Sequence, residues 1–136
     1  MTNTNLLDQP IHTAVDLQLF WRKLMNPLGF AQRRLYFVFL DDQRRALNQL
    51  HQIDDLPEHA DDEFADALMA VFSHFTDHFD FALLLARPGG HPMDDTDRAW
   101  ARALVAAGSR GDIRLEPLHL ANDNSVLPFA SDDLIG

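Results

Sequence analysis

The sequence predicts an α/β (α+β) domain in which a mixed β-sheet is flanked by helices. Segments with apolar residues at helical spacing alternate with short aliphatic and aromatic runs, in the order helix, hairpin, helix, strand, helix, hairpin. The chain has 136 residues, of which 46% are hydrophobic, and this suits one domain with one core. We therefore predict a single domain at residues 13–136, preceded by a flexible polar tail at residues 1–12.

The first helix and the first hairpin are predicted from a cap and a turn. Thr13 and Asp16 form a capping box, and apolar residues then recur at helical spacing until a proline ends the run. The continuous apolar run at residues 35–40 predicts a strand. A turn at residues 41–43 leads into a second arm at residues 44–53, which completes an antiparallel hairpin.

A long amphipathic helix is predicted to begin after Asp61 or Asp62. Six of its apolar residues follow the helical repeat and are expected to face inward: Phe64, Ala67, Leu68, Val71, Phe72 and Phe75. His74 and His78 lie four apart, a spacing that lets two imidazoles on one helix share a metal ion. We interpret them as polar residues on the solvent side of the helix, because a Phe rather than a Glu follows His74.

The second half of the chain supplies a strand, a helix and a hairpin. Residues 79–86 are apolar on both faces, which predicts a buried central strand. Asp94 or Asp95 is expected to cap a helix at residues 96–107, and Gly108 is expected to end it. Two further strands are predicted around a turn, at residues 113–120 and 126–129. Trp21 and Trp100 lie in predicted helices and are interpreted as core anchors.

The charge balance limits the classes of partner. The chain has 21 acidic and 11 basic residues and a formal net charge of −10, which disfavours non-specific nucleic-acid binding and binding to anionic membranes. Four arginines near the first hairpin are interpreted as solvated strand-edge residues: Arg33, Arg34, Arg44 and Arg45. The absence of cysteine excludes disulfides and thiolate chemistry. Without a secretory pattern or a long apolar run, we expect a cytoplasmic protein with no membrane partner.

The segment from Leu85 to Trp100 joins an apolar strand, a loop rich in Pro and Gly, and a helix with an acidic start. Gly89-Gly90 lacks the pattern of a phosphate-binding loop, and a turn explains it. The segment resembles a unit of the JAB/MPN (JAMM) metalloprotease family, particularly its RadC-like branch. There the unit reads His-x-His-Pro, a Gly-containing loop and Ser-x-x-Asp. The resemblance extends over residues 13–136, in the order of the family.

Other segments carry the same resemblance. Residues 63–68, Glu-Phe-x-x-Ala-Leu, are similar to the segment that holds the catalytic Glu of the family. Residues 113–120 resemble a late strand that contains Asp-His-Ile-Ile, with Leu118 in place of the Asp. The first hairpin, at residues 34–47, resembles the opening strand pair, and residues 129–135 resemble the closing signature.

The resemblance also implies what has been lost. In active members two His and an Asp hold zinc, which activates a water, while a Glu accepts the proton and a Ser stabilises the oxyanion. Glu63 falls at the Glu position, Asp97 at the Asp ligand and Asp94 at the Ser. Leu85 and Arg87 fall at the two His positions, and neither can coordinate a cation. A member with no metal, no cofactor and no catalytic residues is implied, with a vestigial pocket of Glu63, Arg87, Asp94 and Asp97.

We therefore expect a catalytically inactive domain that binds an unidentified protein partner or assembles with it, a second copy of the chain being one candidate. An alternative is a divergent metal-dependent hydrolase of peptide or isopeptide bonds, with His91, His119 and Asp97 as rewired ligands beside Glu63. Otherwise His91 is an exposed loop residue and His119 a hydrogen-bonded core residue. A third interpretation, a factor associated with DNA repair, follows from the family label alone and has no support from the charge.

Arg87 is expected to replace zinc as the balancing charge. If Glu63 and Asp97 converge on the end of the strand that carries Arg87, two carboxylates would repel each other without a cation. A guanidinium would bridge both with forked hydrogen bonds. The alternative is that Arg87 points into water.

Overall fold

A five-stranded mixed sheet forms the centre of the fold, in a computed structural model that describes residues 10–134. The strands are β1 (Arg34–Leu40), β2 (His51–Ile53), β3 (Asp80–Ala86), β4 (His119–Ala121) and β5 (Val126–Pro128). Their order in the sheet is β2-β1-β3-β4-β5, and only the β3–β4 pair is parallel. The predicted fold class is confirmed, because this mixed sheet is covered by helices.

Three α-helices cover the two faces of the sheet. They are α1 (Ala14–Leu24), α2 (Asp62–Phe72) and α3 (Asp95–Arg110), and a short 3-10 helix follows at Ser131–Leu134. One core lies between α1 and the sheet, and a larger one lies between the sheet and the pair α2 and α3. Trp21 and Trp100 are completely buried in these two cores, which confirms both as anchors.

Strand β3 is the middle strand and separates the two cores. Leu83 and Leu85 pack in the core beneath α2 and α3, whereas Leu84 and Ala86 pack in the core beneath α1. All four side chains are fully buried, as the run of apolar residues on both faces predicts. Leu85 is therefore a core residue.

The predicted helix starts are confirmed by their capping contacts. Thr13 Oγ1 accepts a hydrogen bond from the backbone N–H of Asp16 at 3.0 Å, and Asp16 Oδ2 accepts one from the N–H of Thr13 at 3.2 Å. Asp61 caps α2 and Asp94 caps α3. These side chains satisfy N–H groups that have no partner inside the helix.

Ile11, just before α1, is attached to the first hairpin. Residues 1–9 lie outside the described residues, but Ile11 is only 2% exposed. Its backbone N–H donates to the carbonyl of Arg44 at 2.7 Å, and its own carbonyl accepts from Arg44 Nε at 2.9 Å. The apolar side chain of Ile11 is thus buried in the core beneath α1.

The second arm of the first hairpin is shorter than predicted. Within this arm, only an isolated bridge at Ala46 and strand β2 pair with β1. Arg44 has a positive φ of 65°, and this bend directs its side chain to Asp80 and Glu116. The prediction of a solvated edge is therefore wrong for Arg44, which is neutralised by two carboxylates.

Helix α2 turns a different face inward from the one predicted. Its buried residues are Ala65, Leu68, Met69 and Phe72. Ala67 and Val71 are exposed, and Phe75 lies beyond the end of the helix. Two overlapping apolar stripes run along this helix, and packing against α3 and the sheet selects one of them. His74 and His78 follow the helix in an exposed turn, so they do not share a helical face.

Helix α3 continues past Gly108, the residue at which the sequence predicts its end. Gly108 lies inside the helix, and Gly111 follows its last residue as the cap. A Cβ at Gly108 would lie 3.1 Å from Leu115 Cδ1, so the glycine permits close packing of the next segment. That segment joins the sheet only through a bridge at Leu115 and then at β4, because Pro117 has no N–H to donate.

Candidate functional site

The candidate site lies where β3 ends and the chain turns towards α3. Arg87 directly follows β3, and Asp97 lies in the first turn of α3. The Arg87 residue is 4% exposed and Asp97 is completely buried. Charged residues are rarely buried without a partner, so each must be neutralised by its neighbours.

Arg87 and Asp97 form a forked ion pair. Arg87 Nη2 donates to Asp97 Oδ2 at 2.8 Å, and Arg87 Nε lies 3.2 Å from Oδ1 and 3.1 Å from Oδ2. Two donors of one planar guanidinium thus meet both oxygens of one carboxylate. The expectation that Arg87 meets Asp97 is confirmed, and the alternative of Arg87 in water is wrong.

The local sequence of α3 explains why the carboxylate points to Arg87. Asp94 and Asp97 form a reciprocal capping box, in which Asp97 N–H donates to Asp94 Oδ1 at 2.8 Å and Asp94 N–H donates to Asp97 Oδ2 at 3.0 Å. This box fixes the Asp97 side chain at the start of the helix. The helix terminus also favours a negative charge there.

Arg33 supplies a second cation to the same carboxylate. Its Nη1 donates to Asp97 Oδ1 at 2.6 Å, and its side chain is 15% exposed. Arg34 pairs with Ala86 across β1 and β3, and this register brings the preceding residue, Arg33, beside Arg87. The prediction that Arg33 is a solvated edge residue is therefore wrong.

The electrostatics of the site favour an ionised Asp97. Burial on its own would raise the pKa of Asp97, but hydrogen bonds from Arg87 and Arg33 outweigh it and hold the pKa below its usual value. The same carboxylate raises the pKa of Arg87. With the carboxylate of Asp94, which also lies near Arg87, the cluster has two guanidiniums and two carboxylates.

Arg87 also organises the loop that follows it. Its Nη2 donates to the carbonyl of His91 at 2.8 Å, and the same carbonyl accepts from Asn122 Nδ2 at 2.8 Å. The backbone N–H of Gly89 donates to Asp123 Oδ2 at 2.8 Å. Gly89 has a φ of 94°, a conformation that favours glycine, so turn geometry accounts for it as expected.

Glu63 is not part of this cluster. It lies in the first turn of α2 with an exposed side chain, and no ion pair involves it within residues 10–134. The expected bridge from Arg87 to both acids is wrong for Glu63. Asp61 caps α2, and the two acidic residues that follow it, Asp62 and Glu63, have side chains exposed to solvent. The structure thus brings together Arg87, Asp94 and Asp97 and adds Arg33.

The histidines of the rewired site do not gather around Asp97. His91 has an exposed side chain, whereas His119 is completely buried and its Nδ1 lies 3.0 Å from the carbonyl oxygen of Pro117. These are the positions expected for a loop histidine and a core histidine. Among the described residues, no group of three His, Asp or Glu side chains has the arrangement of a metal site.

His119 is expected to make the stability of the fold depend on pH. Burial lowers the pKa of His119, and the hydrogen bond to Pro117 opposes this only in part. The unfolded chain therefore binds the proton more readily, so stability is present above about pH 6.5 and declines as pH falls towards the folded pKa. Urea unfolding at about pH 7.5 and about pH 5.5 measures this difference.

The control separates His119 from the acidic residues that also titrate. His119→Gln should reduce the loss of stability between the two pH values, since glutamine does not titrate. His91→Gln changes an exposed histidine and should leave the loss unchanged. A His119→Gln protein that loses as much stability as the unsubstituted chain contradicts the prediction.

The chain was compared with models of known protein families and with curated proteins. No model of a known protein family matches the chain, and no curated protein matches it. Within the described residues, no helix is long and apolar enough to cross a membrane.

Proposed function

We propose that this chain is a catalytically inactive relative of the RadC-like JAB/MPN metalloproteases and acts as a protein-binding or assembly module. One observation carries the proposal: the ion pair between Arg87 and Asp97. By the resemblance, these two positions would both be zinc ligands in an active member. A guanidinium here neutralises the carboxylate that zinc would neutralise there.

The hydrogen bonds of Asp97 argue against metal binding at this point. Oδ1 accepts from Arg33 and Arg87, and Oδ2 accepts from Arg87 and from the backbone N–H of Asp94. A divalent cation that bound Asp97 would have to displace a guanidinium. The displaced guanidinium would remain nearby, and its positive charge would repel the cation. Leu85, at the other histidine position, is buried in the core, and its side chain has no atom that can coordinate a metal ion.

The rest of the catalytic apparatus is also missing from this pocket. Glu63 lies in water on α2, so the residue that would act as general base by the resemblance is not beside Asp97. The divergent hydrolase would need His91 and His119 near Asp97, and the described residues hold no such cluster. A binding role needs only the intact fold, which the buried ion pair helps to specify.

The proposal does not include a role in DNA repair. Arg33 and Arg44 are paired with carboxylates, and so is Arg34, whose Nε lies 2.9 Å from Asp54 Oδ1. These cations are not free to neutralise phosphates, and the formal charge of −10 repels a polyanion.

Hydrolysis assays test the loss of activity. The purified chain, with and without added zinc, should cleave isopeptide-linked ubiquitin dimers and peptide substrates no faster than buffer alone, because both oxygens of Asp97 are engaged by other donors and Glu63 is not beside them. Asp97→Asn is the matched control. Zinc-stimulated cleavage that Asp97→Asn abolishes would contradict the proposal and favour the hydrolase.

A further inference from the structure

The outer face of α1 exposes two aliphatic side chains. Val15 is 63% exposed and Leu19 is 50% exposed. They lie four residues apart, so they are neighbours on one side of the helix. The opposite side of the same helix is buried against the sheet through Leu17, Phe20 and Trp21. The exposed pair is therefore additional to what the fold needs for its own core.

Two cations continue this face towards the end of the helix. Arg22 and Lys23 are exposed and form no ion pair within residues 10–134. Together with Leu19 and Asn26 they line a shallow depression of about 350 Å³. Apolar and basic groups thus adjoin on one surface.

A comparison with α3 shows that unpaired cations are not a general feature of helix ends in this chain. Arg110, in the last turn of α3, stands in the same relation to its helix dipole as Arg22 and Lys23 do in α1. It is nevertheless paired with Asp66, at 2.7 Å. Although the chain has 21 acidic residues, none of those described pairs with Arg22 or Lys23.

We propose that this surface, the α1 face (Val15, Leu19, Arg22, Lys23 and Asn26), binds an acidic amphipathic segment of a partner protein. The inference rests on the proposed function as a binding module and names the class of partner. Aliphatic side chains of the segment would cover Val15 and Leu19. Its carboxylates, one to two turns further along, would pair with Arg22 and Lys23.

The size of the α1 face favours a short segment over a second copy of the chain. Helix α1 has 11 residues and is about 16 Å long. A single helix pair of that length falls short of the roughly 1,200 Å² that stable protein interfaces bury. Two copies that each carry a charge of −10 also repel each other. A short acidic segment would carry less negative charge than a second copy of the chain. Its carboxylates would also lie within a Debye length, about 8 Å, of the two cations.

A membrane surface fits the α1 face less well than an acidic segment. Basic residues contribute about 1 kcal/mol each near an anionic bilayer, and this face has two. It has no aromatic residue among its five members, and the net charge of the chain opposes approach to anionic lipid.

Titration with designed peptides, followed by NMR of the isotope-labelled chain, tests the inference. The acidic probe is a helix-forming peptide with Leu at positions i and i+4 and Glu at positions i+7 and i+8. Its basic counterpart has Lys in place of Glu. The acidic peptide should cause saturable shifts centred on α1, weakened by salt, and the basic one should not.

Exchanging the charges should exchange the preference. Arg22→Glu combined with Lys23→Glu should weaken binding of the acidic peptide by about tenfold or more and confer binding of the basic one. Leu19→Gln should also weaken binding. Two exposed positions outside this face supply matched controls, Val71→Gln and Arg114→Glu, and both should bind as the unsubstituted chain does.

Three outcomes would overturn the inference: an acidic peptide that causes no shifts on α1, dimerisation that Leu19→Gln abolishes, or binding to anionic phosphatidylserine vesicles without binding of the peptide. The second would assign the α1 face to another copy of the chain, and the third would assign it to a membrane. None of these outcomes alters the hydrolysis assay, so failure of this inference is distinguishable from failure of the proposed function.

Discussion

Arg87→Ala is expected to lower the free energy of unfolding by about 3 kcal/mol, at the lower end of the range for breaking a buried ion pair. The substitution removes both forked hydrogen bonds to Asp97 and the bond to the carbonyl of His91. Asp97 is completely buried and loses its main partner, but Arg33 still neutralises it, which limits the loss. Urea unfolding at neutral pH measures the difference.

A double-mutant cycle separates this pairing from lost packing. Asp97→Asn added to Arg87→Ala should recover part of the stability, because the buried charge without its partner is removed. Arg110→Ala provides the comparison, since its pair with Asp66 is half exposed and should contribute about 1 kcal/mol or less. Additive effects of the two substitutions at Arg87 and Asp97 would show that they are not coupled.

Phe72→Ala should have a still larger effect on stability, about 4 kcal/mol. Its ring stacks on Phe81, with the two centroids 4.3 Å apart, and meets the edge of Phe37 at 5.1 Å. The side chain is fully buried between α2 and the sheet, so truncation leaves a cavity that its neighbours cannot fill completely.

The neighbouring Phe75 is the matched control for this cavity. It contacts Phe39 with centroids 5.3 Å apart but is 38% exposed, so Phe75→Ala should cost about 1 kcal/mol or less. Chemical denaturation of both variants compares them under the same conditions. Equal losses for Phe72→Ala and Phe75→Ala would mean that the packing at Phe72 is not what stabilises α2.

The sequence predicts the elements of this fold well where a local signal is strong. Thr13 with Asp16, Asp61 and Asp94 mark the helix starts, because each side chain caps the N–H groups beside it in sequence. The unbroken apolar run of β3 likewise indicates burial on both faces. These features depend on neighbours within a few residues, so they can be inferred without knowledge of the fold.

Features that depend on distant contacts could not be inferred in the same way. The inward face of α2 is chosen by α3 and the sheet, and Gly108 is retained inside α3 because Leu115 packs against it. Ile11 is held by Arg44, 33 residues away in sequence. Local patterns in these segments fit more than one arrangement, and tertiary packing decides between them.

The candidate site shows the same division. The approach of Arg87 to Asp97 follows from a strand, a loop and a helix that are adjacent in sequence. Arg33, which is 64 residues from Asp97 in sequence, joins this pair, and only the register of β1 against β3 indicates its position. Only the resemblance predicts Glu63 in the pocket, and the structure shows its side chain exposed to solvent on α2.

The zinc content of the purified chain tests most directly the claim that a guanidinium has taken the place of a metal ion. Protein prepared without an affinity tag, exposed to zinc and then dialysed, should hold no stoichiometric zinc, because Asp97 is saturated by Arg33, Arg87 and Asp94. Elemental analysis measures this content. About one zinc ion per chain, lost in both Asp97→Ala and Asp97→Asn, would contradict the claim.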